Sequence, residues 1–311
     1  MQIIFYGAGE YGREMLDFMY YMHLEDIVIG FCDKNASSLQ CIKEKTVYSL
    51  EEAEKLNVPL VITIAKREIR EEVEKELKDK NIPYYSNVTE WVNGSNIDVV
   101  NWGREFCAFF HKKGMDQYFE NAEGKEAIEA FWGKDTEFYK MFCYLKLDSV
   151  VELACGRGRH VPRYIESAKH ITLVDILSEN IEYCKQRFSD KDNISYYCNN
   201  GFNLEKLESN SYSALFTYDA MVHFELIDVY NYLQDIYRIL EPGAYALFHH
   251  SNNTQDYRLS FENALHGRNY MSKDLFAYLA YRCGFEIINQ MIIDFVEPEL
   301  DCISLIRKPL K

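Results

Sequence analysis

An acidic residue and three small residues lie close together near the middle of this 311-residue chain: Glu152, Ala154, Gly156 and Gly158. Small residues at this spacing let the backbone pass close to a ligand, where a Cβ atom would collide with it. A second acid, Asp175, ends the next hydrophobic run, where a carboxylate can reach the two hydroxyls of a ribose. The pattern predicts a binding site for a nucleoside-containing cofactor.

The form of this turn, ELACGRG over residues 152–158, resembles the cofactor motif of class I S-adenosylmethionine-dependent methyltransferases. The resemblance implies that Glu152 lies near the positively charged amino-acid end of the cofactor, usually through water. It implies that Asp175 accepts hydrogen bonds from both ribose hydroxyls. The alternative is a fold whose glycine turn binds a pyrophosphate, but Glu152 would then place a negative charge beside that group.

The resemblance also places the loop after the third strand beside the adenine ring. Two asparagines compete there for the adenine amino group, and the phenylalanine packs either on adenine or in the core. The residues of this loop are Asn199, Asn200, Gly201 and Phe202.

Histidines follow two further predicted strands, and ligands of open α/β sheets bind at the carboxyl ends of strands. Transfer of a methyl group to a hydroxyl needs a base, and histidine has a suitable pKa. We predict His223 and His250 as the first candidates for this base, with Asp219 as its orienter or as an alternative base. Strand alternation turns His249 into the sheet, so His249 ranks below the other two histidines as a base. We expect His249 and Asn252 to contact the substrate instead.

The same strand ends, with the segments 240–243 and 267–272, resemble bacterial methyltransferases of sugar and polysaccharide biosynthesis. The resemblance implies a small-molecule or glycan acceptor that is methylated on a hydroxyl of a sugar, a nucleotide-sugar or a polysaccharide intermediate. Arg268 then contacts a phosphate or acid of the substrate, although a surface arginine is an equal alternative. Another small metabolite or a phosphate-type group is the competing acceptor. A divalent metal is not favoured, because the spacing shows no ligand set.

A second glycine turn, formed by Gly7, Gly9 and Gly12, follows the first strand, and Asp33 ends the next one. This context fits a nucleotide-binding motif. The unit resembles the small amino-terminal Rossmann-like domains of sugar acyltransferases and other nucleotide-sugar enzymes. Three hypotheses stay open: a nucleotide-sugar site, an NAD site, or a degenerate domain that supports dimerisation or shapes the cleft. Glu10 lies close to where a diphosphate would bind, which disfavours NAD.

Two other functions compete with the methyltransferase. A bifunctional NAD-dependent oxidoreductase would use the first domain, which lacks a catalytic Tyr-x-x-x-Lys. A regulatory protein would bind the cofactor without turnover.

The alternation of strands and helices predicts an α/β protein. We expect a small Rossmann-like domain at residues 1–97, a helical linker or lid at 98–148 and a class I methyltransferase domain at 149–311. The last domain should contain five parallel strands closed by an antiparallel hairpin at 286–307. A helix is expected at 159–168 between the first two of these strands.

The net charge of −15 and the absence of a basic stripe argue against a nucleic acid substrate, apart from RNA enzymes that bind through a local basic patch. Nine cysteines without paired spacing indicate free thiols in a reducing compartment. We find no signal peptide and no membrane span, so we expect a cytoplasmic protein, and leave a homodimer open.

Overall fold

A computed structural model describes residues 1–113, 115–258, 261 and 264–310 of the chain. The chain divides into two compact units, Met1–Trp102 and Gly103–Lys311. Each unit contains its own β-sheet together with helices, so the predicted α/β class is confirmed. Among the described residues, no helix is long and apolar enough to cross a membrane.

The first unit contains a six-stranded sheet. Its strands are β1 (Ile3–Tyr6), β2 (Val28–Cys32), β3 (Cys41–Ile42), β4 (Lys45–Tyr48), β5 (Leu60–Ile62) and β6 (Tyr84–Tyr85). They lie in the order β3-β4-β2-β1-β5-β6, and only the β3–β4 pair is antiparallel. Parallel neighbours need crossover connections, which the helices of this unit supply.

The helices of the first unit are α1 (Glu10–Tyr21), α2 (Ala36–Leu39), α3 (Leu50–Lys55), α4 (Arg67–Asp79) and α5 (Val88–Asn93). Ser49 caps α3: its hydroxyl accepts a hydrogen bond from the Glu52 amide, and the Glu52 carboxylate accepts one from the Ser49 amide. The capping box that the sequence spacing predicts is thus confirmed.

The glycine turn of the first unit is shaped by one very close backbone approach. A Cβ atom added to Gly12 would overlap the carbonyl oxygen of Gly7. A Cβ atom added to Gly9 would meet no other atom within 4 Å. Gly12 is therefore required for packing α1 against the turn, whereas Gly9 leaves open space beside it.

The second unit contains a seven-stranded sheet. Its strands are β7 (Ser149–Leu153), β8 (His170–Asp175), β9 (Ile194–Cys198), β10 (Tyr212–Thr217), β11 (Leu240–Ser251), β12 (Glu286–Phe295) and β13 (Glu297–Arg307). They lie in the order β12-β13-β11-β10-β7-β8-β9, and β13 is antiparallel to both of its neighbours. This is the mostly parallel sheet with a carboxyl-terminal hairpin that the class I methyltransferase resemblance implies.

Helices cover both faces of this sheet. Those that pack on it are α8 (Lys125–Trp132), α9 (Glu137–Phe142), α10 (Ser178–Arg187), α11 (Leu226–Ile239) and α12 (Lys273–Arg282). Two further helices precede them: α6 (Val99–Lys113), which begins in the first unit, and α7 (Met115–Ala122). Adjacent strand residues point to opposite faces, so Val150 packs in a core with α8 and α9, while Val151 packs in a core with α11 and α12. Because β7 lies between β8 and β10, the direction of the strand order changes at its carboxyl end, which is where such sheets bind ligands.

The helix predicted at 159–168 is wrong. The structure has a short 3₁₀ helix at Val161–Arg163 followed by turns, with hydrogen bonds such as Tyr164 N–H to the Val161 carbonyl. In an α-helix over 159–168 the Pro162 ring would meet the Gly158 carbonyl and could not bond it. That carbonyl instead accepts a hydrogen bond from the Val161 amide, three residues ahead.

The two glycines of the first turn give a matched stability test. We expect Gly12→Ala to lower the free energy of unfolding of the full chain by about 2–3 kcal/mol, because the overlap with Gly7 forces α1 away from the turn. Gly9→Ala should change it by less than about 0.5 kcal/mol, because the new methyl group enters open space. Calorimetric unfolding of both variants measures this, and equal stabilities would contradict the packing described here.

Candidate functional site

The glycine turn after β7 is held in an unusual backbone conformation. Ala154, Gly156 and Gly158 all have positive φ, at 57°, 54° and 74°. This region favours glycine, so the two glycines adopt it without strain. The turn folds back over the end of β8, where the Cys155 amide donates a hydrogen bond to the Val174 carbonyl.

Asp175, at the end of β8, holds the turn in place through hydrogen bonds. Its Oδ2 accepts a hydrogen bond from the Gly156 amide (2.8 Å), and its Oδ1 accepts bonds from the Leu177 amide (2.9 Å) and from Asn180 Nδ2 (3.0 Å). Burial raises the pKa of this carboxyl, and the three bonds partly offset that rise. A carboxylate offers about four acceptor positions. One position on Oδ2 is therefore left for a ribose hydroxyl, rather than the two that the sequence resemblance implies.

Glu152, on β7, is almost fully buried, and only one of its two carboxyl oxygens has a hydrogen-bond partner among the described residues. Its Oε2 accepts a hydrogen bond from the Tyr164 hydroxyl (2.6 Å), while its Oε1 has no partner among the described residues. Burial raises the pKa of this carboxyl to about 8, although the Tyr164 bond opposes the rise. A buried carboxyl with an unpaired oxygen is well placed to receive a cation or a hydrogen-bond donor.

The helix α7 lies over the glycine turn. The Phe119 ring packs on Gly156, since an added Cβ there would lie 2.8 Å from the ring. The Arg157 guanidinium lies over the same ring, 5.1 Å from its centre, and forms an ion pair with Asp116. The Tyr118 hydroxyl donates a hydrogen bond to Asp219 beyond the end of β10 (2.8 Å). The helix therefore spans from the turn to the neighbouring strand end.

The loop after β9 is organised by the side chains of its own asparagines. Asn199 Nδ2 donates hydrogen bonds to the Asn203 carbonyl and to the Tyr232 hydroxyl. Asn200 Oδ1 accepts bonds from the Phe202 and Asn203 amides. Both asparagines thus shape the loop in the absence of a ligand.

The aromatic residue of this loop contacts a cation that the sequence analysis did not identify. The Arg104 guanidinium lies 4.4 Å from the centre of the Phe202 ring and forms two hydrogen bonds to Asp228, at 2.7 and 2.8 Å. Arg104 also approaches Gly201, where an added Cβ would lie 2.7 Å from its Cδ. No sequence motif marks this arginine, because it comes from a helix about 100 residues before the loop.

Asp219 is an ionised residue of the site. Burial alone would raise its pKa, but the charge of Arg159, which donates to Asp219 Oδ2 (2.9 Å), and the other neighbours lower it to about 2. Its φ of 55° lies in the left-handed region, which Asp tolerates better than most residues. Its Oδ2 already accepts hydrogen bonds from both Tyr118 and Arg159, so the geometry favours the orienting role.

His223 follows Asp219 in a 3₁₀ turn and keeps one ring nitrogen for a ligand. Its Nδ1 lies 2.9 Å from the Gly267 carbonyl oxygen. A carbonyl only accepts, so Nδ1 carries the proton and Nε2 the lone pair. Burial and the nearby His111, whose ring centre is 4.8 Å away, lower its pKa to about 3. His223 is therefore neutral at pH 7. His111 is a further site residue that sequence reasoning missed.

The structure argues against His250 as a base. Its Nδ1 donates a hydrogen bond to the Ser251 carbonyl (2.8 Å), so its Nε2 accepts one from the Ser304 hydroxyl (2.8 Å). The ring is fully buried and stacks on Phe276. Burial lowers its pKa to about 4. With both nitrogens occupied, His250 has no lone pair for a substrate, and we correct that prediction.

The predicted substrate residues Arg268 and His249 instead share one buried acid. Arg268 donates two hydrogen bonds to Asp301, at 3.1 and 2.7 Å, and His249 Nε2 donates a third at 3.0 Å. His249 Nδ1 accepts a bond from the Asp219 amide (3.1 Å). Arg268 is only 4% exposed, so it is neither a surface arginine nor available to a phosphate. This network supports the strand end that carries Asp219.

Asn252 is also engaged within the protein. Its Nδ2 donates to the Glu299 carbonyl on β13, and its Oδ1 accepts from the Lys273 amide at the start of α12. These bonds orient the side chain, and the substrate contact stays a prediction.

The predicted site of the first unit has an arrangement like that of the second. Asp33 Oδ2 accepts a hydrogen bond from the Ala8 amide in the glycine turn (2.9 Å), and Asp33 Oδ1 accepts one from the Asn35 amide (2.8 Å). In the same way, Asp175 accepts hydrogen bonds from the Gly156 amide in the turn and from the Leu177 amide two residues ahead. Gly7, with a φ of 118°, begins the turn, and Gly9 and Gly12 continue it.

No group of three or more His, Cys, Asp or Glu side chains arranged to hold a metal occurs among the residues that the structure describes.

Comparison with known proteins identifies the second unit. Residues 150–243 match the family model described as a methyltransferase domain. A chain from the complex between the Haloferax volcanii Trm112 methyltransferase activator and a methyltransferase candidate is similar, with a TM-score of 0.50 and 14% identity over 64% of this chain and 97% of that one. A search of curated protein sequences finds no significant match to the chain.

Two further solved structures resemble the chain more weakly. An S-adenosylmethionine-dependent methyltransferase from Mesorhizobium loti gives a TM-score of 0.47 and 15% identity over 55% of this chain and 97% of that one. The [4+2]-cyclase SpnF gives a TM-score of 0.48 and 13% identity over 56% of this chain and 80% of that one.

The residues of the family match include the glycine turn, Asp175, Asp219 and His223. Residues 150–243 are thus similar to a methyltransferase domain, and the class I fold is confirmed by the strand order and the Haloferax structure.

The unpaired oxygen of Glu152 leads to a stability prediction. Its folded-state pKa of about 8 exceeds its usual value of 4.5, so between these pH values the folded protein holds a proton that the unfolded chain has lost. The free energy of unfolding should therefore fall as pH rises, by up to about 1.4 kcal/mol per pH unit.

We expect Glu152→Gln to remove this slope and to make the ligand-free protein more stable than wild type at pH 8. Urea unfolding at pH 5.5, 7 and 8 measures it, with Glu241→Gln, which changes an exposed carboxyl, as the control. Parallel pH profiles for Glu152→Gln and wild type would show that Glu152 is not protonated in the folded state.

Proposed function

We propose that the protein is an S-adenosylmethionine-dependent O-methyltransferase that acts on a hydroxyl of a sugar, a nucleotide-sugar or a polysaccharide intermediate. The observation that carries this proposal is the hydrogen bond between His223 Nδ1 and the Gly267 carbonyl, which leaves Nε2 as a neutral acceptor just beyond the carboxyl end of β10. A group of this kind is what the attack of a hydroxyl on a methyl group requires.

The residues present fit the cofactor. The unpaired Oε1 of buried Glu152 suits the cationic amino-acid end, and the free position on Asp175 Oδ2 suits a ribose hydroxyl. Phe202 and the Asn199–Phe202 loop would line the adenine side, with Arg104 on the outer face of Phe202. The small residues Ala154, Gly156 and Gly158 complete the turn. When bound, S-adenosylmethionine supplies an electrophilic methyl group on a sulfonium centre.

The chain's own residues hold the acceptor and take its proton. His223 Nε2 accepts the hydrogen bond of the acceptor hydroxyl, and the Gly267 carbonyl keeps the tautomer in which this is the basic nitrogen. The hydroxyl oxygen becomes strongly acidic as it gains a methyl group, so a histidine with a low pKa still accepts its proton. Asp219, ionised and paired with Arg159, fixes the strand end through its bond to His249 and does not compete as a base.

The fold by itself does not select this reaction, since one fold hosts many chemistries. A phosphate-type acceptor is disfavoured because Arg268 is committed to buried Asp301. A protein that only senses the cofactor would not need the free Nε2 of His223.

The central prediction concerns turnover. With S-adenosylmethionine and a panel of sugars and nucleotide-sugars, one acceptor should gain a single methyl mass. We expect His223→Ala to lower kcat at least about 10²-fold, because it removes the proton acceptor, while the affinity for S-adenosylhomocysteine stays within about threefold of wild type.

His170→Ala, at the opposite end of β8, serves as the control and should retain full activity. Wild-type kcat in the His223→Ala variant would exclude His223 as the base. Failure of every acceptor to gain a methyl group would refute the proposed substrate class.

The first unit is proposed to be a Rossmann-like accessory domain. The open space at Gly9 and the bond between Asp33 and the turn support a nucleotide ligand, either a nucleotide-sugar or NAD. A ligand-free domain that dimerises or shapes the cleft is the remaining hypothesis, and NAD binding would support a bifunctional oxidoreductase.

Equilibrium dialysis with UDP-glucose and with NAD separates these hypotheses. A bound ligand should be lost in Gly9→Arg, whose side chain fills the open space, while binding of S-adenosylhomocysteine to the second unit persists. If neither probe binds the wild type, the first unit has a structural role, which sedimentation of the full chain can test as dimerisation.

A further inference from the structure

A cavity of about 250 Å³ lies beside His223. Its lining residues among those described are His223, Glu225, Leu226, Tyr257, Phe261, Gly267, Asn269 and Tyr270. We call it the acceptor cavity. It is smaller than the clefts of roughly 300–1,000 Å³ that hold drug-sized ligands, which suits a single ring.

Asn269 presents an unpaired hydrogen-bond acceptor at this cavity. Its side-chain Nδ2 donates to the Phe224 carbonyl, and its backbone amide donates to the Val222 carbonyl (2.8 Å). These bonds fix the orientation of the amide. Its Oδ1 is buried and has no partner among the described residues. Leaving such an atom unpaired is costly, so a donor on a ligand would be favoured there.

Glu225 contributes a second acceptor. Its carboxyl packs directly on Gly103 of α6, where an added Cβ would overlap it, and no hydrogen bond to it occurs among the described residues. The nearest arginine, Arg104, forms its two bonds with Asp228 instead. Partial burial raises the pKa of Glu225 to about 7, and the charge of Asp228 adds to the rise.

The cavity offers acceptors of hydrogen bonds and no fixed cation. Its described lining contains no lysine or arginine. Two arginines are near: the partly buried Arg104 and the buried Arg268, and each donates two hydrogen bonds to an aspartate. A phosphate or carboxylate entering here would face Glu225 without a counter-charge. The desolvation that raises the pKa of Glu225 would also penalise a cationic acceptor.

We propose that the acceptor cavity selects a neutral, hydroxylated ring, in which one hydroxyl faces His223, a neighbouring hydroxyl donates to Glu225 and a third donates to Asn269. The aromatic side chains of Tyr257, Phe261 and Tyr270 provide apolar faces for the carbon skeleton of the ring. Any charged part of the acceptor, such as a nucleotide, stays outside the cavity. This inference rests on the proposed methyltransferase function and specifies its substrate class and two specificity residues.

The experiment compares matched acceptors with the full-length enzyme and S-adenosylmethionine. The acceptors are a panel of methyl glycosides. Each glycoside is compared with its deoxy form, its 2-amino-2-deoxy form and its phosphorylated form. We expect methyl transfer to a neutral glycoside, with kcat/KM lowered at least about tenfold when the neighbouring hydroxyl is removed or when a phosphate or ammonium replaces it.

The variants test the two residues. Glu225→Ala should raise KM for the neutral acceptor about tenfold with kcat within about threefold, and Glu225→Gln, which keeps an acceptor atom, should restore KM to within about threefold of wild type. Asn269→Ala should act like Glu225→Ala. If Glu225 had only a structural role, Glu225→Gln would not restore KM alone.

Three outcomes would overturn the inference: preferred turnover of phosphorylated acceptors, preferred turnover of amino acceptors, or an unchanged KM in Glu225→Ala. In the first two cases the methyltransferase proposal stands and only the substrate class fails. If S-adenosylhomocysteine binds but no acceptor of any class gains a methyl group, the proposed function fails as well.

Discussion

The site depends on the hydrogen bond from the Gly156 amide to Asp175. This bond joins the turn after β7 to the end of β8, and the further bonds from Leu177 and Asn180 hold the carboxylate in place. The cofactor turn is therefore formed by the protein alone, and a ligand has only to add to it. Preorganisation of this kind reduces the ordering that binding requires. Asp33 and Ala8 repeat the arrangement in the first unit, which shows that it follows from the geometry of adjacent parallel strands.

In the part of the chain that the structure describes, several polar atoms of the proposed site lack a hydrogen-bond partner, whereas the acid that supports it is well bonded. Glu152 and Asn269 each keep a buried oxygen without a partner among the described residues, and His223 keeps a free Nε2. By contrast, both oxygens of Asp301 are bonded, by Arg268 and His249, and this network holds the end of β11. Since leaving a buried polar atom unpaired lowers stability, these atoms indicate where a ligand completes the structure.

Much of the fold follows from local sequence patterns. The strand and glycine patterns predict the α/β class, and the closeness of the last two strands predicts their antiparallel pairing, which the β12–β13 ladder confirms. The capping box at Ser49 is likewise a local feature. The helix expected at 159–168 is absent, because Pro162 outweighs the apolar spacing around it. Arg104 and His111 could not be assigned to the site, since only the packing of α6 brings them there.

The sequence by itself determined the residue types and spacing of the cofactor turn, because Glu152, the glycines and Asp175 act through backbone geometry over a short stretch of chain. The tertiary structure alone decided which histidine is available for chemistry. The partners of the three candidates lie 44 residues away for His223, 52 for His249 and 54 for His250. The hydrogen-bond partner of one ring nitrogen decides whether the other nitrogen carries a lone pair. Only the folded sheet brings those partners next to the histidines.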